Sequence, residues 1–575
     1  MPRISHASLL LIVLLSLAAV MLTGCSGDVA PGGPADLVLR GGKIATVDPE
    51  SRIVEALAAR EGRIVALGSN AEIERWIGPE TRTVELDGAL AIPGFIEGHA
   101  HLTGLGQSLM NVELGSAETW EEVLERVADA VAKSEPGQWI VGRGWHQEKW
   151  SEAPARTVEG NPVHDRLSET APDNPVLLTH ASGHAAIANA LAMELAGIDG
   201  STPDPDGGTI VRDAGGDPTG LLRETAEDLV HRLYDRSRDS MTAEQKRDEM
   251  RRAVRRAVDD CLAKGVTSFQ DAGSDFETFE LLREMADDGD LGLRVWMLLR
   301  VPNDILREKL PTAKVVDYGG HRLTLGGIKH SIDGALGSHG AWLLEPYTDM
   351  PDTAGLNTVD IPTIEESAGL ALEHDIQLCV HAIGDRANRE TLDIFERTLG
   401  DDPASKRWRV EHAQHLHPDD LPRFAELGVV ASMQGVHCTS DAPWVPKRLG
   451  SERAASGAYM WRSLIDSGAV VTNGTDAPVE NVDPIPSFYA SVTRNIGGRA
   501  FYPEQVMTRE EALRSYTWNA AYAAFEEDDK GSLEVGKLAD ITVLDRDILT
   551  VPDDRILGTR VLHTILDGEV VFSRE

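Results

Sequence analysis

Residues 89–101 read Ala-Leu-Ala-Ile-Pro-Gly-Phe-Ile-Glu-Gly-His-Ala-His, an apolar run that ends in two histidines, His99 and His101. On a β-strand, residues i and i+2 point to the same side, so the two imidazoles would face one direction. Barrels of parallel strands carry their chemistry at the carboxyl ends of the strands, which is where this pair would stand. Alone, a His-x-His pair is as consistent with a structural role as with a metal site.

The middle of the chain, residues 93–529, repeats this pattern, because short apolar runs alternate there with helix-like stretches. Further strand candidates are 265–270, 293–300, 325–332, 377–381, 408–412, 429–433 and 469–472. Eight such β/α units predict an α/β protein with a (β/α)₈ barrel of the TIM type. Residues 107–231 do not follow this alternation and contain turns rich in Gly, Pro and Asp. We interpret them as an insertion after the first barrel strand.

Both ends of the chain differ from the middle in their sequence pattern. Residues 36–92 and 530–575 contain short strand patterns separated by turn signals such as Gly-Gly, Asp-Pro and Asp-Gly. Strands at an unpaired sheet edge tend to pair with other strands. Because the two ends of the chain share short strand patterns that the middle lacks, we expect their strands to pair with each other. The sequence therefore predicts one small β-sandwich built from both termini.

Three more residues with metal-binding side chains follow candidate strands in the barrel region. His381 and His412 stand at the ends of two of them, and Asp476 follows the last one. Because strand ends converge in a barrel, these side chains would meet the first two histidines. The nitrogen and oxygen donors of this set suit zinc and other divalent metals. The predicted metal ligands are His99, His101, His381, His412 and Asp476.

A sixth candidate ligand is Lys329, which lies inside the apolar segment 325–332. Burial near a metal lowers the pKa of a lysine. The free amine could then capture CO₂ and become a carbamate that bridges two metal ions, which brings the net charge of the site closer to zero. The alternative is a lysine whose amine reaches solvent or pairs with Asp333.

These motifs together resemble the amidohydrolase superfamily. The resemblance rests on the following segments: Pro93-Gly-Phe-Ile-Glu-Gly-His-Ala-His101, Asp333-Gly-Ala-Leu-Gly-Ser338, His381-Ala-Ile-Gly-Asp-Arg-Ala387, Glu411-His-Ala-Gln414, Gly474-Thr-Asp-Ala-Pro478 and Gly531-Ser-Leu-Glu-Val-Gly-Lys-Leu-Ala-Asp540. Within it the chain looks most like the YtcJ-like branch, amidohydrolase family 3, which includes N-substituted formamide deformylases. The resemblance implies a distorted TIM barrel and hydrolysis of non-peptide carbon–nitrogen bonds, of the amide, formamide or carbamate type, by metal-activated water.

The same resemblance implies roles for individual residues. The six candidate ligands match the family's ligand set for two divalent ions, for which we predict zinc, with a carboxylated Lys329 as the bridge. Asp476 would act as general base and then as general acid. His184 and His437 are candidate substrate-binding residues, although a structural role in the insertion is the alternative for His184. Ser182-Gly183 and Gln434-Gly435 stand where the family usually has Asp-Gly and Gln-Pro, so the preferred substrate stays open.

Two alternative functions remain at this point. Deaminases of heterocycles share the fold but usually add an acidic residue after the fifth-strand histidine, where this chain has only Asp385. A non-catalytic binding lipoprotein would be expected to have lost metal ligands, and all six are present.

The amino-acid composition limits the kinds of partner that the protein is expected to bind. There are 93 Asp and Glu residues against 55 Lys and Arg, a formal net charge of −38, which argues against a nucleic-acid partner. Four cysteines are too few and too scattered for a disulfide framework or a Cys-rich zinc site. We expect a small-molecule substrate, and the oligomeric state stays open.

The N-terminus has the pattern of a targeting segment. Residues 1–24 contain an early arginine and an apolar run, which is typical of a signal peptide. The string Leu22-Thr-Gly-Cys25 resembles a bacterial lipobox, in which Cys25 becomes the lipidated first residue. Residues 25–35 would form a tether. The prediction is an extracytoplasmic lipoprotein held at a membrane by its lipid anchor only, at the outer membrane or periplasmic face in a Gram-negative host.

Overall fold

The computed structural model describes residues 32–147, 150–180, 185–205, 207–239, 241–337 and 339–574. They form two compact units. The first comprises the described residues up to Ala100, Asp260–Phe279 and the described residues from Leu293 onward, and the second comprises those within His101–Asp259 and Glu280–Gly292.

Eight parallel strands form the central sheet of the first unit. In chain order they are β1 (Phe95–Ala100), β2 (Val266–Ser274), β3 (Arg294–Leu299), β4 (Leu323–Ser331), β5 (Gln377–Ala382), β6 (Arg409–His412), β7 (Val430–Gln434) and β8 (Val471–Gly474). Each strand pairs with the next one in the series, so the spatial order follows the chain order. The strands are buried along most of their length, as expected of a parallel sheet covered on both faces.

The first and last strands also meet, which nearly closes the sheet into a barrel. The backbone N–H of Asp476, just after β8, donates to the carbonyl of His99 in β1 at 2.8 Å. Gly98 permits this approach, because a Cβ at that position would lie 2.4 Å from the carbonyl oxygen of Asn473. The predicted (β/α)₈ barrel of the TIM type is confirmed.

Helices connect the barrel strands. Those of the first unit that follow β3 to β8 include Asn303–Ala313, Ile361–Glu373, Asp385–Leu399, Leu421–Glu426, Gly435–Asp441, Val445–Leu449, Ser451–Gly457, Trp461–Asp466, Pro484–Thr493, Arg509–Ser515 and Trp518–Ala523. Ala243–Ala263 precedes β2, and Phe276–Asp287 follows it. Local sequence sets several helix starts: Thr508 and Glu511 form a capping box, and Asp360 accepts from the N–H of Thr363.

Both chain termini contribute to two further sheets in the first unit. The four-stranded sheet has the order Arg63–Gly68, Ala56–Arg60, Leu37–Arg40, Arg82–Glu85. The six-stranded sheet has the order Glu569–Ser573, Val561–Leu566, Ile541–Leu544, Leu90–Pro93, Lys43–Ala45, Ile53–Val54. One hydrophobic cluster joins the two sheets and includes Leu37, Leu57, Ile541 and Ile565. The predicted β-sandwich built from both termini is confirmed.

The second unit has a mixed six-stranded sheet of its own. Its order is Gly208–Arg212, Pro218–Glu224, Ala185–Ala188, Val176–His180, Ile140–Trp145, Val112–Glu113. The helices of this unit include Leu102–Met110, Trp120–Val131, Asp165–Thr170, Ala190–Ala196 and Asp228–Asp239. Its core contains three tryptophans, Trp120, Trp145 and Trp150. The unit contains the segment 107–231 that the sequence marked as an insertion, and the domain boundaries drawn from the sequence stay predictions.

One prediction from the sequence is corrected. Cys25, the signal peptide and most of the tether lie outside the described residues. Within the described part of the chain, no helix is both long and apolar enough to cross a membrane. The predicted localisation as an extracytoplasmic, membrane-anchored lipoprotein is wrong: it rested only on the segment around Cys25, and the described residues add no support for it.

Candidate metal centre

The predicted ligands lie at or near the carboxyl ends of five barrel strands. His99 is in β1, Lys329 in β4 and His381 in β5, while His412 ends β6 and Asp476 lies two residues beyond β8. The ends of parallel barrel strands lie on one side of the barrel. His101 lies one residue beyond β1, in extended conformation, at the N-cap of Leu102–Met110.

Three of these residues form a compact donor cluster. The ligand atoms of His99, His412 and Asp476 all lie within 4.8 Å of one another. His99 Nε2 is 3.6 Å from Asp476 Oδ1, and all three residues are buried. Two imidazole nitrogens from β1 and β6 and a carboxylate from the segment after β8 are a donor set that fits zinc and similar divalent ions.

His381 extends this cluster. Its ring centroid is 4.5 Å from that of His412, which in turn is 4.6 Å from that of His99. His381 Nε2 is buried, makes no hydrogen bond to a described residue and lies 3.5 Å from Asp333 Oδ1. Burial and the nearby Lys329 lower the pKa of His99 to about 4 and that of His381 to about 3. These imidazoles are neutral at physiological pH, which is the form that binds a metal.

Polar neighbours fix the ring tautomers of two ligands. His99 Nδ1 contacts the carboxylate of Glu411, and His412 Nδ1 is 2.7 Å from Gln434 Oε1. Both acceptors require a proton on Nδ1, so each histidine presents the lone pair of Nε2 to the site. The sequence did not indicate that Glu411 and Gln434 support the metal ligands, although both lie in segments that it had singled out.

The backbone turns sharply at two of the ligands. His412 has φ 75° and Asp476 has φ 58°, so both residues are in the left-handed region. This conformation is uncommon for residues with a Cβ, and it concentrates at functional sites. The strained turns point these two side chains into the cluster at the point where their strands end.

Lys329 is buried in the strand that the sequence predicted. Only 2% of the residue is exposed, and it lies opposite Cys379 in the register between β4 and β5. Burial lowers the pKa of its amine, although Glu411 and Asp476 act in the opposite direction. The alternative partner, Asp333, accepts instead from the backbone N–H groups of Ile383, Gly384 and Trp342 at 2.8–3.0 Å.

The two candidate substrate-binding histidines differ in what the structure describes. His437 is buried on the helix that follows β7, and its ring is nearly parallel to that of His412 at 6.4 Å. Gln414 Nε2 lies 3.2 Å from His437 Nδ1, and His437 Nε2 makes no hydrogen bond to a described residue. With Nδ1 as acceptor, Nε2 carries a proton that it can donate to a ligand. His184 lies outside the described residues.

Comparisons with known proteins agree with this geometry. A family model described as "Amidohydrolase family" matches residues 82–572. Protein LONG AFTER FAR-RED 3 of Arabidopsis thaliana is 35% identical over 89% of this chain and 87% of its own length. A Bacillus subtilis protein named as the amidohydrolase YtcJ is 31% identical over 93% of this chain and 99% of its own.

Two further matches bear on chemistry. The N-substituted formamide deformylase of Arthrobacter pascens is 28% identical over 94% of this chain and 98% of its own. The crystal structure of an uncharacterized metal-dependent hydrolase from Pyrococcus furiosus superimposes with a TM-score of 0.70 at 29% identity, and covers 89% of this chain and 100% of the other. This chain is therefore similar, over most of its length, to proteins named as an amidohydrolase, a formamide deformylase and a metal-dependent hydrolase.

Proposed function

The chain belongs to the amidohydrolase family, and on that premise we propose that it hydrolyses a small molecule at a non-peptide carbon–nitrogen bond of the amide, formamide or carbamate type. The observation that carries the proposal is the buried cluster of His99, His412 and Asp476, whose ligand atoms lie within 4.8 Å of one another at the carboxyl end of the barrel. These residues would hold a divalent ion, which when bound would lower the pKa of water and polarise a carbonyl group.

The residues around the cluster supply the remaining steps. Asp476 accepts a proton from the attacking water and passes it to the departing nitrogen, as general base and then general acid. His437 Nε2–H donates to the substrate and orients it, and His184 is a further substrate contact suggested by the motif. Turnover therefore needs Asp476 to be close to both the water and the leaving group.

We further propose that the site holds two zinc ions with a carboxylated Lys329 between them. The support is a lysine that is 2% exposed, has no ion pair among the described residues and lies on β4, which pairs with the strand β5 that carries His381. His101 completes the ligand set on the evidence of the sequence motif. A neutral amine in this position is the form that can take up CO₂.

The geometry favours amide hydrolysis over deamination of a heterocycle. Asp385, the one acidic residue that the sequence offers after His381 for such a reaction, is engaged in the fold. Its Oδ1 accepts from the backbone N–H groups of Leu344 and Arg386 at 2.8 and 2.9 Å. It therefore anchors the loop that follows β4 rather than facing a substrate.

The test is a substrate panel with two product assays. The metal-loaded protein, the same protein after chelation, and the Asp476→Asn variant are incubated with N-formyl amines, N-acyl amines, carbamates, purines and pyrimidines. We expect amine release from one of the first three classes, lost on chelation and in the variant. Ammonia release from a heterocycle without amine release from the first three classes would contradict the proposal, as would hydrolysis that survives chelation.

A further inference from the structure

A buried ion pair lies in the barrel interior beside the metal ligands. Arg409 and Glu411 are both on β6, two residues apart, and they are 1% and 0% exposed. Barrel interiors are normally filled by layers of apolar side chains. Moving two charges out of water is so unfavourable that their mutual attraction often fails to compensate, so stability is a poor explanation for this pair.

The guanidinium of Arg409 is held by hydrogen bonds on several sides. It donates to both carboxylate oxygens of Glu411, at 2.7 and 3.1 Å. Its other acceptors are Gln270 Oε1 at 2.6 Å, the Gly98 carbonyl at 2.7 Å and Ser432 Oγ at 2.9 Å. These contacts come from β1, β2 and β7, so the position of the guanidinium is fixed by three strands besides its own.

The same carboxylate is the acceptor for a metal ligand. Glu411 Oε2 accepts from His99 Nδ1, and the two residues are 312 positions apart in the chain. A continuous series of hydrogen bonds therefore runs from Gln270 through Arg409 and Glu411 to His99. Gln270 is itself anchored, since its Nε2 donates to the Ala520 carbonyl at 2.8 Å.

We propose that Arg409 and Glu411 are positioning residues for the metal ligand His99. The carboxylate fixes the Nδ1–H tautomer and aims Nε2 at the site, and the guanidinium fixes the carboxylate. The inference rests on the proposed metal site. Partners of this kind orient histidine ligands and raise their basicity, and their loss lowers metal affinity by about 10–100-fold.

The neighbouring ligand provides an internal comparison. His412 has a neutral support, because its Nδ1 donates to Gln434 Oε1 at 2.7 Å. Glu411→Gln would give His99 the same kind of support with nearly unchanged shape. It would also leave the charge of Arg409 without its partner, so a second variant is needed that removes both charges together.

The test measures metal binding rather than turnover. Wild type, Glu411→Gln and the double variant Arg409→Met with Glu411→Leu are stripped of metal and titrated with Co²⁺ against a chromogenic chelator. Circular dichroism reports folding, and the visible Co²⁺ spectrum reports coordination. Arg294→Met with Asp540→Leu, which removes another wholly buried pair, is the matched control.

We expect the double variant to fold, to bind Co²⁺ about 10–100-fold more weakly and to show an altered spectrum. Glu411→Gln should lie between it and wild type, and the control should match wild type. A folded double variant with wild-type affinity and spectrum would overturn the inference, as would failure of both site variants to fold, which would make the pair structural. If wild type itself bound no Co²⁺, the proposed metal site would fail first.

Discussion

For single residues, we expect substitutions in the ligand cluster to impair metal binding without unfolding the barrel. His99→Ala and His381→Ala each remove a neutral nitrogen donor from a buried site at the strand ends. They should abolish hydrolysis and reduce metal content while the barrel remains folded. Asp476→Asn keeps the side-chain shape but cannot shuttle the proton, so we expect a loss of about 10²–10⁴-fold in kcat.

The measurements are metal content by mass spectrometry and steady-state kinetics on the same preparations. His563→Ala is the matched control, because His563 lies on the sandwich strand Val561–Leu566, away from the cluster. A His99→Ala protein with its full metal content and activity would show that the ligand assignment is wrong.

Lys329 gives a second prediction at this scale. If a carbamate on Lys329 bridges two ions, Lys329→Ala should lose most of its metal and activity. Propionate, supplied together with metal, should restore part of both, because it replaces the missing carboxylate in the cavity left by the side chain. Lys329→Arg should not respond, since a guanidinium stays charged and fills that space. Unmodified Lys329 in fully active, metal-loaded protein would exclude the bridge.

The sequence could suggest the ligands but not their supports. His381 and His412 were recognisable because each ends an apolar run, and parallel strand ends converge. The role of Glu411 depends on a contact with His99, 312 residues away, and no periodicity reports which ring a buried carboxylate meets. The positive φ values of His412 and Asp476 are likewise a property of the assembled barrel.

At the scale of elements, one ion pair ties the start of β3 to a sandwich strand. Arg294 is 1% exposed and donates to Asp540, next to Ile541–Leu544, at 2.6 and 2.8 Å. Asp540→Ala would leave the buried guanidinium with the half-buried Asp567 as its acidic partner, so the free energy of unfolding should fall by less than the roughly 3–5 kcal/mol expected of a wholly unpaired buried charge. Removing the exposed partner Glu74 of the Arg40 pair should change the free energy of unfolding much less, because solvent screens this surface pair.

The pH dependence of this effect has a defined sign. Burial by itself raises the pKa of Asp540, but Arg294 outweighs it, so the net shift is downward. The stabilising contribution of the Asp540 carboxylate is therefore fully present above its unfolded-state pKa of about 3.9. It is lost as the pH falls through the lower pKa that Asp540 has in the folded protein. Urea unfolding of wild type and Asp540→Ala should show a constant difference above about pH 5, and a difference that shrinks between pH 8 and 6 would contradict the assignment.

Barrel strands were easier to predict than the strands of the second unit. The candidates 293–300, 377–381 and 429–433 agree within one residue with β3, β5 and β7, because a strand buried on both faces appears as an unbroken apolar run. The strand Pro218–Glu224 begins in a segment rich in Gly, Pro and Asp, which resembled only turns. Its pairing with Ala185–Ala188 brings distant segments together, which a local pattern does not encode.

At the scale of the whole molecule, motif order proved more informative than targeting signals. The amidohydrolase family, the barrel with its sandwich and the hydrolase class are confirmed, because each depends on motifs spread over the folded chain. The lipoprotein localisation was wrong: it depended on one short segment outside the described residues, and the described chain adds no support for it. Substrate preference depends on side chains that meet only after folding, and the sequence left it open.

The metal-free protein should lose stability in mild acid. Four histidines, of which His99 and His415 are buried and His330 and His381 are half-buried, have lowered pKa values: about 4 for His99 and His330, and about 3 for His381 and His415. In the unfolded chain each returns to a pKa of about 6.5, so between these values the unfolded state binds more protons than the folded state. Stability therefore falls as pH falls below about 6.5, by about 1.4 kcal/mol per pH unit for each histidine that stays neutral only in the folded state.

His415 allows this pH dependence to be tested at a single histidine. It is 2% exposed, packs against the ring of Tyr459 at 5.6 Å, and neither ring nitrogen bonds to a described residue. His415→Phe keeps the aromatic contact and removes the titrating group without orphaning a hydrogen-bond partner. Urea unfolding is measured in a chelator at pH 7.5, 6.5, 5.5 and 5.0, a window chosen to stay above most carboxylate titration. The slope of the free energy of unfolding against pH should correspond to the uptake of about one proton fewer in the variant than in wild type. Equal slopes would mean that the imidazole of His415 is protonated as readily in the folded barrel as in the unfolded chain.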